Sequence, residues 1–125
     1  MGQSAFKVAD STPQQPTKKP LYDGQIEDEF VVDVINSEDL VIFSRTNCGF
    51  CTKAKTELDQ KGIRYRCLEL DIGTNCPGDD CYRVIQSLLL MTRMKTVPQI
   101  FYKSHLIGGY TELHSMLEKG EIKKE

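Results

Sequence analysis

Four consecutive apolar residues, Leu40-Val41-Ile42-Phe43, constrain this chain more than any other stretch. Side chains alternate between the two faces of a strand, so a strand apolar at every position needs cover on both sides. The rest of the chain offers that cover. Ile26, Phe30, Val31, Val34 and Ile35 recur at helical spacing before the run. After it, a helix is expected from Gly49 to Gln60, with Cys51, Ala54 and Leu58 on one side and Lys61-Gly62 ending it. Ile63 to Leu70 reads as a second strand, followed by the turn-rich Thr74-Asn75-Cys76-Pro77-Gly78. A third helix carries Val84, Ile85, Leu88 and Leu89. Val97 to Tyr102 and His105 to Ile107 read as a hairpin closed by Lys103-Ser104, and a last helix carries Leu113, Met116 and Leu117. The order α-β-α-β-α-β-β-α predicts an α/β fold containing a right-handed βαβ unit.

At 125 residues the chain has room for one domain. Residues 1–20, rich in Pro, Gln, Ser, Thr and Lys, bury too little to offset their ordering entropy, so they are expected to be a flexible tail before a domain over 21–125. A 39% hydrophobic and 27% charged composition is that of a globular protein. Sixteen basic against eighteen acidic residues leave a net charge of −2, which argues against nucleic acid as a partner. No apolar run approaches the roughly 20 residues that span a bilayer, so no membrane partner is expected. Five cysteines cannot all pair within one chain. With an N-terminal stretch unlike an export or transit signal, the odd count predicts a cytoplasmic protein with reduced thiols.

Those thiols then need a chemical explanation. Cys48-Gly49-Phe50-Cys51 stands where the first strand gives way to a helix. There the unpaired backbone N–H groups and the helix dipole favour an anion, so Cys48 should ionise readily. Cys51, one turn inward, is placed to attack a mixed disulfide at Cys48. Half a zinc site would need partner ligands at suitable spacing. Two further signals follow. Thr96-Val97-Pro98 precedes a strand; a trans proline would simply open it, whereas a cis bond at Val97–Pro98 would turn the Val97 backbone towards Cys48 to pair with an extended peptide. Gly108-Gly109 is either a tight turn or a close-approach point before a helix start that can hold a carboxylate.

Taken together, residues from about Glu38 to Gly120 resemble a glutaredoxin. The landmarks are Phe43-Ser44-Arg45 leading to Cys48-Gly49-Phe50-Cys51, Glu69-Leu70-Asp71, Thr96-Val97-Pro98 and Ile107-Gly108-Gly109. A thioredoxin would carry tryptophan before the first cysteine, where this chain has Asn47. The resemblance implies a thioredoxin-like fold, a central four-stranded mixed sheet flanked by helices, and glutathione-dependent thiol–disulfide exchange with glutathionylated proteins as partners. It implies Cys48 as nucleophile and Cys51 as resolving thiol. Arg45 and Lys95 would attract the glycyl carboxylate of glutathione, and Val97, between Thr96 and Pro98, would pair with its cysteinyl part. Gly109, Tyr110 and Thr111 would face the γ-glutamyl end, with Thr111 capping the last helix, and Phe50 would lie beside the ligand. Tyr110 and Thr111 stand where the family has acidic or small residues, Ile85 stands where a polar contact is common with Gln86 one position away, and Arg93 replaces a common glycine. Arg45, Lys53, Lys55, Arg93 and Lys95 would surround the site, whereas Leu21 to Ser44 holds seven acids and no base.

A rival function follows from Gly49, since cluster-binding relatives often have glycine after the first cysteine. Two subunits could each supply Cys48 to a [2Fe–2S] cluster completed by two glutathiones. The chain would then be a dimer; otherwise a monomer is expected, with no metal. Of the other cysteines, Cys67 is expected as a small buried hydrophobe. Cys76 and Cys81, flanking Pro77-Gly78-Asp79-Asp80, form either two free thiols, the expectation in a reducing compartment, or a regulatory disulfide. His105 and His114 are assigned no role.

Overall fold

The computed structural model describes residues 28–124, so the tail expected over 1–20 and Ile26 of the first helix lie outside the described residues. Among the described residues, eight regular elements follow the expected order: α1 (Glu29–Ile35), β1 (Leu40–Ser44), α2 (Gly49–Gln60), β2 (Arg66–Glu69), α3 (Tyr82–Thr92), β3 (Gln99–Tyr102), β4 (His105–Gly108) and α4 (Tyr110–Glu118). Two short 3₁₀ turns, Gly73–Asn75 and Pro77–Asp79, lie between β2 and α3. The sheet order is β2-β1-β3-β4, with β1 parallel to β2 and antiparallel to β3, and β3 antiparallel to β4.

Strand β1 runs down the middle and is buried along its length. Its alternation divides the core. Val41 and Phe43 join Val31, Val34, Leu68, Leu70, Val84, Leu88 and Phe101 under α1 and α3. Leu40 and Ile42 join Ala54, Leu58, Ile100, Leu113 and Leu117 under α2 and α4. Phe43 and Phe101 meet edge to face at 5.8 Å between ring centroids, an arrangement that suits the aromatic quadrupole. The apolar run is therefore a two-sided strand, as its pattern required.

Boundaries depart from the sequence pattern where turn chemistry decides. β2 begins at Arg66 rather than Ile63 because Ile63 still closes α2: its N–H donates to the Leu58 carbonyl at 3.0 Å, and the Gly62 N–H to Asp59 at 3.1 Å. That pair of hydrogen bonds, with Gly62 at φ +69°, satisfies the Leu58 and Asp59 carbonyls at the end of the helix. α3 ends differently, on Arg93 at φ +63°, whose N–H donates to the Leu89 carbonyl at 2.8 Å. A left-handed conformation costs a residue with a Cβ about 1–2 kcal/mol. Arg93→Gly should therefore stabilise the protein by about 1 kcal/mol, read as a rise in urea midpoint at unchanged slope. A fall in midpoint would mean that the Arg93 side chain contributes more than its backbone costs.

Candidate active site

Cys48 is the N-cap of α2, in extended conformation at φ −145°. Its Sγ accepts the Cys51 N–H at 3.2 Å, and its carbonyl accepts the Thr52 N–H at 3.0 Å. A sulfur in that position faces the amide donors and positive end of a twelve-residue helix, which favour its thiolate over its thiol. Cys48 is half-buried and Cys51 fully buried, and the two are joined as a disulfide with their Cα atoms 5.2 Å apart. Only the outer sulfur meets solvent.

The approach to Cys48 is anchored from the turn that follows β2. The Asp71 carboxylate accepts the Thr46 N–H at 3.1 and 3.2 Å and the Thr46 hydroxyl at 2.5 Å. These two donors hold the Asp71 carboxyl below its usual range. The anchor is therefore complete above the ordinary aspartate pKa and is lost as pH falls through the lowered one.

Opposite Cys48 lies the segment between α3 and β3. The Val97–Pro98 peptide bond is cis, and the Val97 carbonyl oxygen lies 3.7 Å from Cys48 Sγ. Gln99, 4% exposed, holds this segment from beneath. Its amide nitrogen donates to the Met94 carbonyl and the Thr96 carbonyl, each at 3.1 Å, and its oxygen accepts the Thr92 hydroxyl at 3.0 Å. Between these walls runs an open groove of about 470 Å³ with Arg45, Cys48, Lys95, Thr96 and Val97 on its rim. Leu70, Ile85, Leu88, Leu89 and Met94 line its apolar part. The size suits a small molecule, and the two cations suit an anionic one. Ile85 lines the groove and Gln86 does not.

The remaining sequence candidates lie to either side. Pro98 is buried, and a Cβ on Gly109 would come within 3.5 Å of its carbonyl oxygen. Thr111 is exposed and does not cap α4: the N-cap is Gly109, whose N–H donates to Glu112 Oε1 at 2.8 Å. Glu112 reaches back because the third helical position lies directly over the cap, a geometry unavailable to Thr111 one turn position earlier. Phe50 is 57% exposed and stacks on Tyr110 at 6.0 Å, with Lys53 Nζ 5.3 Å above the Phe50 ring. Tyr110 donates its hydroxyl to Glu57 Oε1 at 3.0 Å. Burial opposes ionisation of Glu57, but hydrogen bonds from His114 and Tyr110 outweigh it and hold the carboxyl below its usual range. Two expected cations are placed elsewhere. Lys55 pairs with Glu69 at 2.7 Å, and Arg93 ends α3 without lining the groove.

The other cysteines also differ from expectation. Cys67 is only half-buried, because edge strand β2 covers one side of it alone. Its thiol faces Glu69 Oε2 at 3.3 Å, and burial, with the hydrogen bond to Glu69 acting in the same sense, pushes it up to about 11. At pH 8 only about one Cys67 in a thousand is then thiolate. Iodoacetamide should alkylate Cys67 in the oxidised protein more than about a hundredfold slower than a cysteine peptide, the rate rising about tenfold per pH unit. Peptide-like labelling at pH 8, read by mass spectrometry, would contradict the raised value. Cys76 and Cys81 are not two free thiols: they form a disulfide, because the tandem 3₁₀ turns bring their Cα atoms to 5.1 Å.

Sequence reasoning missed Gln99, the bond between Thr46 and Asp71, and the Glu57 partners Tyr110 and His114. A polar residue opening an otherwise apolar strand was the one signal that Gln99 needs a buried partner.

The comparisons with known proteins bear on this geometry. The glutaredoxin family model matches residues 40–107, from the first residue of β1 into β4, and so spans both walls of the groove. Mitochondrial glutaredoxin-2 of Homo sapiens is 33% identical over 94 residues, 74% of this chain and 53% of that protein. Glutaredoxin-C2 of Arabidopsis thaliana is 31% identical over 90 residues, 72% of this chain and 77% of that protein. The chain spans about half the length of the mitochondrial relatives. Among solved structures, a buckwheat glutaredoxin–glutathione complex superposes with a TM-score of 0.65 at 33% identity, covering 74% of this chain and 80% of that one. With the sheet order, the cysteine pair at the head of α2 and the Val97–Pro98 wall all inside the matched region, this chain belongs to the glutaredoxin family.

Proposed function

We propose that the chain is a glutathione-dependent thiol–disulfide oxidoreductase that reduces protein–glutathione mixed disulfides and protein disulfides. The observation that carries this reading is Cys48 at the head of α2, its Sγ accepting the Cys51 N–H and opening into the groove flanked by Arg45 and Lys95. In this reading the Cys48 thiolate attacks the glutathione sulfur of a mixed disulfide, and the target's thiolate leaves and takes up a proton. A second glutathione thiolate then attacks the glutathione sulfur now bonded to Cys48, releasing glutathione disulfide and regenerating the Cys48 thiolate. Cys51 closes on Cys48 when the target is a disulfide within one protein. Arg45 and Lys95 hold the glycyl carboxylate, and Val97 aligns the cysteinyl part through its backbone. Gly109, Tyr110 and Thr111 take the γ-glutamyl end, beside Thr96, Pro98 and Phe50.

The test is glutathione-coupled reduction of a glutathionylated peptide, followed through glutathione disulfide formation. Turnover that saturates in the peptide is expected; no turnover above the uncatalysed exchange would refute the reading. An absorption spectrum and a sizing run after anaerobic reconstitution with iron and sulfide decide the rival function: a colourless monomer is expected, and a coloured dimer would establish cluster binding. The proposed compartment is the cytosol, resting on the odd cysteine count, and cell fractionation tests it. No helix among the described residues is long and apolar enough to cross a membrane.

A further inference from the structure

Chemistry at Cys48 does not use Cys67, Cys76 or Cys81, and of these Cys76 and Cys81 are joined to each other. Their disulfide is 4% and 5% exposed and belongs to the same packed cluster as Leu70 and Leu88, which line the groove beside Cys48. The cross-link closes the segment from Asp71 to Cys81, and each end of that segment is tied to a neighbour of the groove. At one end Asp71 holds Thr46, two residues before Cys48. At the other, Cys81 is the N-cap of α3 with no side-chain cap bond, and its carbonyl accepts the Ile85 N–H at 2.9 Å. Ile85, one turn further on, lines the groove. The disulfide therefore ties the N-cap of α3 back to the loop, beside the Asp80 carboxylate that accepts the Tyr82 N–H at 3.0 Å. Cys81 Sγ also lies 3.5 Å from the Ile72 carbonyl, an acceptor for its thiol once reduced.

We propose that Cys76–Cys81 is a second redox couple, slower to exchange than Cys48–Cys51, whose oxidised form tightens the groove that binds glutathione. The proposal rests on the glutathione chemistry inferred for Cys48. Its reductant is a small thiol of the glutathione class. One thiolate attacks a sulfur of the pair, forming a mixed disulfide and releasing the other cysteine as a thiolate that takes up a proton. A second thiolate attacks the small molecule's sulfur, freeing the remaining cysteine and leaving the small molecule as its own disulfide. Both sulfurs are buried, so attack requires the exposed Pro77–Asp80 turn to open, which makes this exchange slow. Cys48, half-buried at a helix terminus, needs no such opening.

The two couples can be separated in time. Full-length oxidised protein is placed in glutathione buffer, sampled from seconds to hours, quenched with iodoacetamide and weighed intact and as peptides. The Cys48–Cys51 disulfide should be lost first, with alkylation of Cys48, and the Cys76–Cys81 disulfide later, read as a two-hydrogen mass gain for each pair. Protein taken between these phases is assayed on a glutathionylated peptide beside fully reduced protein and the C76S/C81S variant. Loss of burial equal to one methylene on the groove floor corresponds to about a fourfold change in affinity. KM should accordingly rise about fourfold in both the fully reduced protein and the variant, with kcat unchanged and the far-ultraviolet circular dichroism of the reduced wild type native. Equal KM in the intermediate and fully reduced wild type would overturn the proposal, whether or not the variant folds. So would a pair that stays disulfide-bonded, by intact mass, until the protein unfolds. Absence of turnover in the intermediate sample is a different failure: it would refute the glutathione reading itself, and this proposal with it.

Discussion

Cys48→Ser should remove glutathione-coupled turnover by about three orders of magnitude or more, the scale on which a missing nucleophile acts. Cys51→Ser should leave turnover on a glutathionylated peptide within a few-fold of wild type, because the second glutathione, not Cys51, completes that cycle. The asymmetry follows from placement. Cys48 Sγ lies at the mouth of the groove and accepts the Cys51 N–H, whereas Cys51 has no exposed surface and meets only a partner already bonded to Cys48. That amide remains when residue 51 is serine, so the field that favours the Cys48 thiolate survives the substitution. Reduction of a disulfide within one protein should instead fall strongly in Cys51→Ser. Equal loss on the glutathionylated peptide in both variants would refute the one-thiol cycle.

Gln99→Leu should be the most damaging change outside the cysteines. Gln99 is buried and makes three hydrogen bonds, to Met94, Thr96 and Thr92. Leucine approximates its volume but leaves the Met94 and Thr96 carbonyls without that partner, while the Thr92 hydroxyl keeps the Leu88 carbonyl at 2.8 Å. Each unsatisfied buried group costs about 1–3 kcal/mol, and water entering from the open groove limits the sum to about 3 kcal/mol. The functional effect is separate from the loss of stability. Met94, Lys95 and Thr96 form the wall opposite Cys48, so freeing them should raise KM for the glutathionylated peptide about tenfold while kcat, set at Cys48, changes little. Gln99→Asn, which keeps the amide on a shorter stem, should recover part of the KM. A folded Gln99→Leu protein with wild-type KM would show that the wall holds itself in place.

Much of the fold was legible for a definite reason. β1 is apolar at every position because it lies between two layers, and the periods of its flanking helices are those of elements with one buried face. Glycine chemistry gave the end of α2, since Gly62 adopts the left-handed angle that its C-cap requires. The start of β2 was less legible, because Ile63 suits a strand in composition while its N–H is taken by the helix before it.

At the site, the sequence by itself determined the working pair and where its activation comes from. Spacing puts Cys48 and Cys51 one turn apart, and a strand-to-helix junction puts the first of them at the helix terminus. These are local relations, fixed by residues within a few positions of each other. The tertiary structure alone decided what lies around them. Lys55 was spent on Glu69, fourteen residues away, and Arg45 and Lys95 were left on the groove. Thr46 met Asp71 across twenty-five positions, and Tyr110 met Glu57 across fifty-three. Cys76 and Cys81 are only five positions apart, and what the spacing alone left open was settled by a 3₁₀ turn between them that brings their Cα atoms to 5.1 Å with both sulfurs in the core under α3. Side-chain type says what a residue can bond to; only the packed chain says which partner arrives within reach.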